Sequence, residues 1–181
     1  MRAKTLASGR FLELCDAIVA MARPCAADVI VNDRVDLAWL AGAAGAHVGQ
    51  EDLPPAAARR LLGADAILGL STHDVAQLER ARREPASYIA VGPVFGTRTK
   101  ETGYTPVGLE MVRQAVRLAG GRPVVAIGGI TLETAASVWD AGAAAVAVIG
   151  DLLATGDPAA RVASYNRVAY GLRTGSHGTP T

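Results

Sequence analysis

Cysteine, aromatic residues, net charge and long apolar runs are all scarce in this chain of 181 residues, and each shortage removes a class of protein. Two cysteines, Cys15 and Cys25, cannot build a disulfide framework, and neither has a Cys or His partner at metal-ligand spacing. Both are read as buried thiols. Aromatic residues make up 4% of the chain, and 18 Lys and Arg stand against 17 Asp and Glu, for a formal charge of +1. So balanced a surface releases few counterions, which argues against nucleic acid and against an anionic membrane as partners. The longest uncharged apolar run, residues 141–150, is too short to cross a bilayer. The N-terminal segment MRAKTLASGRFLELCD scatters charge where a signal peptide needs an apolar stretch, so a cytoplasmic protein is expected.

What is present is aliphatic. Half of the residues are apolar, mostly Ala, Val, Leu and Ile, and 20 are Gly. This length and composition suit one buried core. Short β-branched runs predict strands over residues 28–32, 46–49, 66–71, 87–92, 123–128 and 145–150. The runs are apolar throughout rather than alternating, as in strands covered on both faces. Their ends are separated by 17, 21, 21, 36 and 22 residues. A repeat of about twenty residues accommodates one strand, one helix and two loops, the signature of parallel strands with crossover helices.

End signals bound the intervening helices. Asp33 can cap a helix over residues 34–41 ended by Gly42, and Pro54 and Pro55 open one over residues 56–62 ended by Gly63. Thr131 can cap another over residues 132–141 ended by Gly142. A last helix starts at Asp157 and Pro158, and residues 173–181 read as a flexible tail, leaving 1–172 as a single domain. The one long interval holds residues 92–106, a Gly- and Thr-rich loop at a strand's C-terminal end, where function is often carried. No GxGxxG follows any strand, and Gly-bearing turns follow the last two strands. Both features favour a (β/α)8 barrel over a doubly wound sheet, although six strands are visible and a closed barrel needs eight.

The polar residues gather just after strand ends. Asp33 and Asp52 follow consecutive strands, and paired carboxylates without His or Cys suit a hard cation such as Mg2+ that also binds phosphate oxygens. Helix capping is the plainer reading of Asp33. Thr97, Thr99 and Lys100 offer hydroxyls and a positive charge to a phosphate, or simply solvate their loop. Gly128 and Gly129, and one unit later Gly150, allow backbone N–H groups to face a phosphate, or serve tight packing. His47, His73 and His177 are read as packed or capping residues rather than ligands.

Six ordered segments carry a resemblance: VNDRVDLA (31–38), HVGQEDLP (47–54), ILGLSTH (67–73), YIAVGPVFGTRTK (88–100), PVVAIGGIT (123–131) and GAAAVAVIGDLL (142–153). Together they resemble the thiamine phosphate synthase family, and MRAKTL resembles that family's Q-x-R-x-K segment, with Arg2 and Lys4 in register. The resemblance implies an α/β fold, a (β/α)8 TIM barrel in which Met1 falls inside the second strand. The first strand, its helix and part of the second strand are then expected to lie in a longer reading frame or to come from another chain or segment. It implies a Mg2+-dependent transferase with small-molecule substrates, coupling a hydroxymethylpyrimidine diphosphate to a thiazole phosphate, and a homodimer is among the assemblies it implies. By resemblance Asp33 and Asp52 hold Mg2+. Arg2, Lys4, Asn32, Ser71, Thr99 and Lys100 contact the diphosphate, and Thr97 lines the pocket. Gly128, Gly129, Ile149 and Gly150 offer backbone to the thiazole phosphate. One rival shares the fold, a thiazole tautomerase, disfavoured because Pro93 stands where that branch has His; the other is a non-catalytic, truncated paralogue that binds phosphorylated ligand but cannot complete the barrel.

Overall fold

The computed structural model describes residues 1–96 and 104–175. Its six strands are β1 (Ile30–Asn32), β2 (Gly45–Val48), β3 (Ile67–Thr72), β4 (Tyr88–Val91), β5 (Val124–Ile127) and β6 (Ala145–Ala147). Each overlaps one of the expected apolar runs, although the last was expected to reach Gly150, and β6 instead ends at Ala147 while Gly150 begins a helix. They follow one another in one sheet in chain order. β1 pairs with β2, β2 with β3 and β5 with β6 in parallel register, so the α/β class expected from the twenty-residue repeat holds.

The helices are α1 (Ser8–Ala22), α2 (Val35–Leu40), α3 (Pro55–Leu62), α4 (Val75–Ala81), α5 (Gly108–Leu118), α6 (Leu132–Asp140), α7 (Gly150–Leu153) and α8 (Pro158–Gly175). Pro55 sits in the first turn of α3, where its missing N–H costs no bond, and Gly63 ends that helix at φ 87°. Gly42 and Gly142 follow α2 and α6 at φ 59° and 98°, a backbone that other residues adopt only with strain. At the start of α6 the Thr131 N–H donates to the Thr134 hydroxyl at 3.0 Å, which satisfies a donor the helix would leave unpaired.

Contacts divide the chain into two compact units. The first comprises Met1–Thr72 and Glu79–Ile89. Its core joins Val31, Ala46, Val48, Leu68 and Leu70 of the strands to Val35, Leu37 and Ala38 of α2. The long helix α1 was not anticipated, yet its stripe of Phe11, Cys15 and Val19 at four-residue spacing is what buries it, and it packs against α2. Before it, Met1 hydrogen-bonds along β1: its N–H donates to the Ile30 carbonyl at 2.5 Å, and its carbonyl accepts from Asn32 N–H at 2.9 Å.

The second unit comprises His73–Leu78 and the chain from Ala90 on. Val91, Val124 and Ala126 of the strands are buried with Met111, Val112 and Ala115 of α5 and with Ala135 and Val138 of α6.

Two expectations are corrected. Cys25 is exposed, because it ends a 3-10 turn (Arg23–Cys25) outside the buried stripe of α1, whereas Cys15 is buried as expected. Asp33 does not cap α2. It sits one residue too early, in the left-handed region at φ 65°, and its N–H donates to the His47 carbonyl at 2.8 Å, so the N-cap position falls to Arg34.

Candidate functional site

In the first unit the residues singled out at the strand ends meet. Asp33 leaves β1 in a left-handed conformation, which a short acidic side chain tolerates better than most. The Lys4 ammonium lies 3.0 Å from its carboxylate. Asp52, in the turn after β2, accepts the Gly49 N–H at 2.7 Å and lies within hydrogen-bonding reach of Asp33. Burial, and then the Asp33 carboxyl beside it, push the Asp52 carboxyl up from its ordinary value, against the Gly49 N–H and Lys4, which favour its ionised form. Two carboxyls so close hold a proton between them or a cation.

Among the described residues no group of three or more His, Cys, Asp or Glu could hold a metal ion by itself. A pair of carboxylates nevertheless fits Mg2+, which takes one or two protein carboxylates and completes its shell with water and phosphate oxygens. Asn32 is half-buried at the end of β1, and Arg2 is exposed one residue beyond the Met1 pairing.

Ser71, near the end of β3, is held from two sides. Gln50 donates its side-chain N–H to the Ser71 carbonyl at 2.6 Å, and His47 Nε2 lies 2.7 Å from the Ser71 hydroxyl. The other ring nitrogen of His47 lies 2.9 Å from the Tyr88 hydroxyl. His47 is thus packed, as expected, but it also joins two hydroxyls, and Tyr88 was not foreseen. The register gives the reason: His47 pairs with Gly69, and a Cβ at Gly69 would lie 2.2 Å from Tyr88 Cζ and 2.3 Å from His47 Nδ1. Glycine there leaves the space that both rings use.

In the second unit, Gly128 and Gly129 form a turn after β5 at φ 100° and 64°. A Cβ on Gly128 would meet Pro93 Cα at 2.5 Å, and one on Gly129 would meet the Gly96 carbonyl oxygen at 2.4 Å. The turn is bound to the chain after β4: Val94 N–H donates to the Ile127 carbonyl at 2.9 Å and Phe95 N–H to the Gly128 carbonyl at 3.0 Å. Close approach of backbone therefore requires both glycines. Ile149 and Gly150 are exposed where α7 begins. Next to them Asp151 accepts Arg161 through two bonds of 2.8 Å and the Tyr165 hydroxyl at 2.6 Å. Arg161, before Asp151's other partners, holds that carboxyl below its ordinary range. His73 Nδ1 lies 2.6 Å from the Gly92 carbonyl oxygen, and the ring stacks on Tyr104 at 3.7 Å.

Thr97, Thr99 and Lys100 lie outside the described residues. The Asp151, Arg161 and Tyr165 cluster was missed because its members lie ten and fourteen residues apart and read as solvated helix positions.

Comparison with known proteins agrees with this architecture. The TMP-TENI family, thiamine monophosphate synthase, matches residues 1–152. A thiamine-phosphate synthase of Koribacter versatilis is 45% identical over 149 residues, which are 82% of this chain and 69% of that protein. One from Anaeromyxobacter dehalogenans is 42% identical over 180 residues, 99% of this chain and 80% of its own. A thiamine phosphate pyrophosphorylase structure from Pyrococcus furiosus superposes with a TM-score of 0.86 at 29% identity, covering 94% of this chain and 81% of that one. The chain belongs to the thiamine monophosphate synthase family.

Proposed function

We propose that the chain is a thiamine phosphate synthase, a transferase that couples hydroxymethylpyrimidine diphosphate to hydroxyethylthiazole phosphate, and that its sheet is part of a (β/α)8 barrel of that family. The contact between Asp33 and Asp52, with Lys4 on Asp33, carries the reading. An acid pair with a lysine beside it suits departure of a diphosphate better than attack by the protein. In the reaction the bond from the pyrimidine methylene carbon to the diphosphate oxygen breaks, with its electrons going to oxygen. The thiazole nitrogen then donates its lone pair to that carbon.

Catalysis of this kind consists of stabilising charge on the leaving group. Asp33 and Asp52 would hold Mg2+, which when bound neutralises diphosphate charge. Arg2, Lys4, Asn32 and Ser71, with Thr99 and Lys100, would bind the diphosphate, and Thr97 would line the pocket. Gly128, Gly129, Ile149 and Gly150 would offer backbone to the thiazole phosphate; the two glycines that admit no Cβ support this part of the reading.

The test is to incubate the purified chain with both substrates and Mg2+ and to measure thiamine phosphate and released diphosphate in equal amounts. A folded sample that binds thiazole phosphate yet forms no thiamine phosphate overturns the synthase reading and leaves the non-catalytic one.

A further inference from the structure

Ser71, His47 and Tyr88 form one chain of hydrogen bonds, with Nε2 2.7 Å from the Ser71 hydroxyl and Nδ1 2.9 Å from the Tyr88 hydroxyl. A neutral imidazole carries a proton on one nitrogen only, so the two hydroxyls must play opposite roles. With the proton on Nδ1, the ring would donate to Tyr88, and the phenol's own proton would need another acceptor. The Tyr88 hydroxyl makes no other hydrogen bond among the described residues. In that tautomer Ser71 would also spend its proton on Nε2 and present only lone pairs, which repel a phosphate oxygen.

With the proton on Nε2, every group is satisfied: Tyr88 donates to Nδ1, Nε2–H donates to the Ser71 oxygen, and the Ser71 proton stays free. Burial raises the Tyr88 phenol above its ordinary value, so it remains a donor. The pair is built into the sheet, since the rings lie 5.6 Å apart over Gly69, where no Cβ would fit.

We propose that Tyr88 is a positioning residue for the coupling reaction, fixing through His47 the tautomer in which the Ser71 hydroxyl donates its proton to an oxygen of the departing diphosphate. This rests on the reading of Ser71 as a diphosphate contact. No proton changes owner in the ground state; the hydrogen bond from Ser71 strengthens as negative charge grows on the oxygen when the carbon–oxygen bond breaks.

Tyr88→Phe keeps the ring and removes the donor. It is expected to lower kcat roughly tenfold, with the KM of both substrates changed by less than about twofold. In the Ser71→Ala background the same change should cost nothing further, because the hydroxyl it orients is gone; full additivity of the two losses overturns the proposal. Nitrogen-15 NMR of His47 in the wild-type chain is expected to show the proton on Nε2, and Tyr88→Phe should move the ring toward a mixture of tautomers. A proton on Nδ1 in the wild type overturns the proposal, and this readout decides it even if Tyr88→Phe does not fold. Binding of inorganic diphosphate with Mg2+, measured by calorimetry, should weaken severalfold in Tyr88→Phe, and unchanged affinity counts against it. Absence of turnover in the wild type instead overturns the synthase reading, while the NMR and diphosphate measurements still report on Ser71.

Discussion

Asp151 and Arg161 form a two-point ion pair, Nε to Oδ2 and Nη2 to Oδ1, both at 2.8 Å. Asp151 follows Gly150 in α7, while Arg161 and Tyr165 belong to α8, and the Leu132 N–H at the start of α6 also donates to Asp151. One carboxylate, 10% exposed, therefore ties three helices of the second unit next to the turn assigned to the thiazole phosphate.

That relationship makes stability depend on pH with a definite sign. Arg161 first, and then Tyr165, hold the Asp151 carboxyl below the 3.8 of an ordinary aspartate. The unfolded chain takes up the proton more readily, so the stabilisation is present above about pH 4 and is lost as pH falls through the folded value. Asp151→Asn is expected to lower Tm by roughly 2–6 °C at pH 7. The gap to wild type should close as pH falls below about 4. Thermal melts at several pH values test it, and a deficit independent of pH would show that the ion pair is not its source.

Asp52→Ala should reduce Mg2+-dependent turnover by about a hundredfold or more, because it removes half of the acid pair. Binding of the thiazole phosphate, assigned to the glycine turn of the second unit, should stay within about twofold. Kinetics with both substrates and calorimetry with the thiazole phosphate alone separate the two effects. Equal loss of both would mean that the two phosphates do not have separate sites.

Most of the fold was legible because parallel strands buried on both faces leave uninterrupted apolar runs, and glycine or proline marks nearly every helix end. Where reading failed, the cause was tertiary. The stripe of Phe11, Cys15 and Val19 was hidden by the charges between them, and Cys25 followed its neighbour into the core on paper only. Asp33 has the composition of a cap. What removes it from that role is a backbone bond to His47, fourteen positions away and brought close by the pairing of β1 with β2. The site shows the same division. The acids and glycines announce their chemistry by type, whereas the link from Tyr88 to Ser71 exists only once β2, β3 and β4 lie side by side.

The two cysteines give a direct test of that packing. Cys25 is exposed and should react with a thiol reagent such as Ellman's reagent within minutes in the native chain. Burial, and then Asp16, push the Cys15 thiol up, so it should react only after denaturation. Native labelling should therefore stop at one equivalent, and Cys25→Ser should abolish it. Two equivalents in the native state would mean that α1 does not seat its apolar stripe.

Two glycines of different surroundings test whether the turn after β5 is a requirement of structure. Gly129 has φ 64°, and a Cβ there would sit 2.4 Å from the Gly96 carbonyl oxygen and 2.9 Å from Phe95. Neither neighbour is the flexible end of a side chain, so the backbone itself would have to shift. Gly129→Ala is expected to lower Tm by roughly 4–8 °C and to raise the KM of the thiazole phosphate more than that of the pyrimidine diphosphate. Gly9, inside α1, has nothing within 4 Å of its Cβ position. Gly9→Ala should leave both KM values unchanged and stabilise the chain by up to about 1 kcal/mol through helix propensity. Melting curves and steady-state kinetics on the two variants check this, and an unaltered thiazole-phosphate KM in a folded Gly129→Ala chain would remove the turn from the phosphate site.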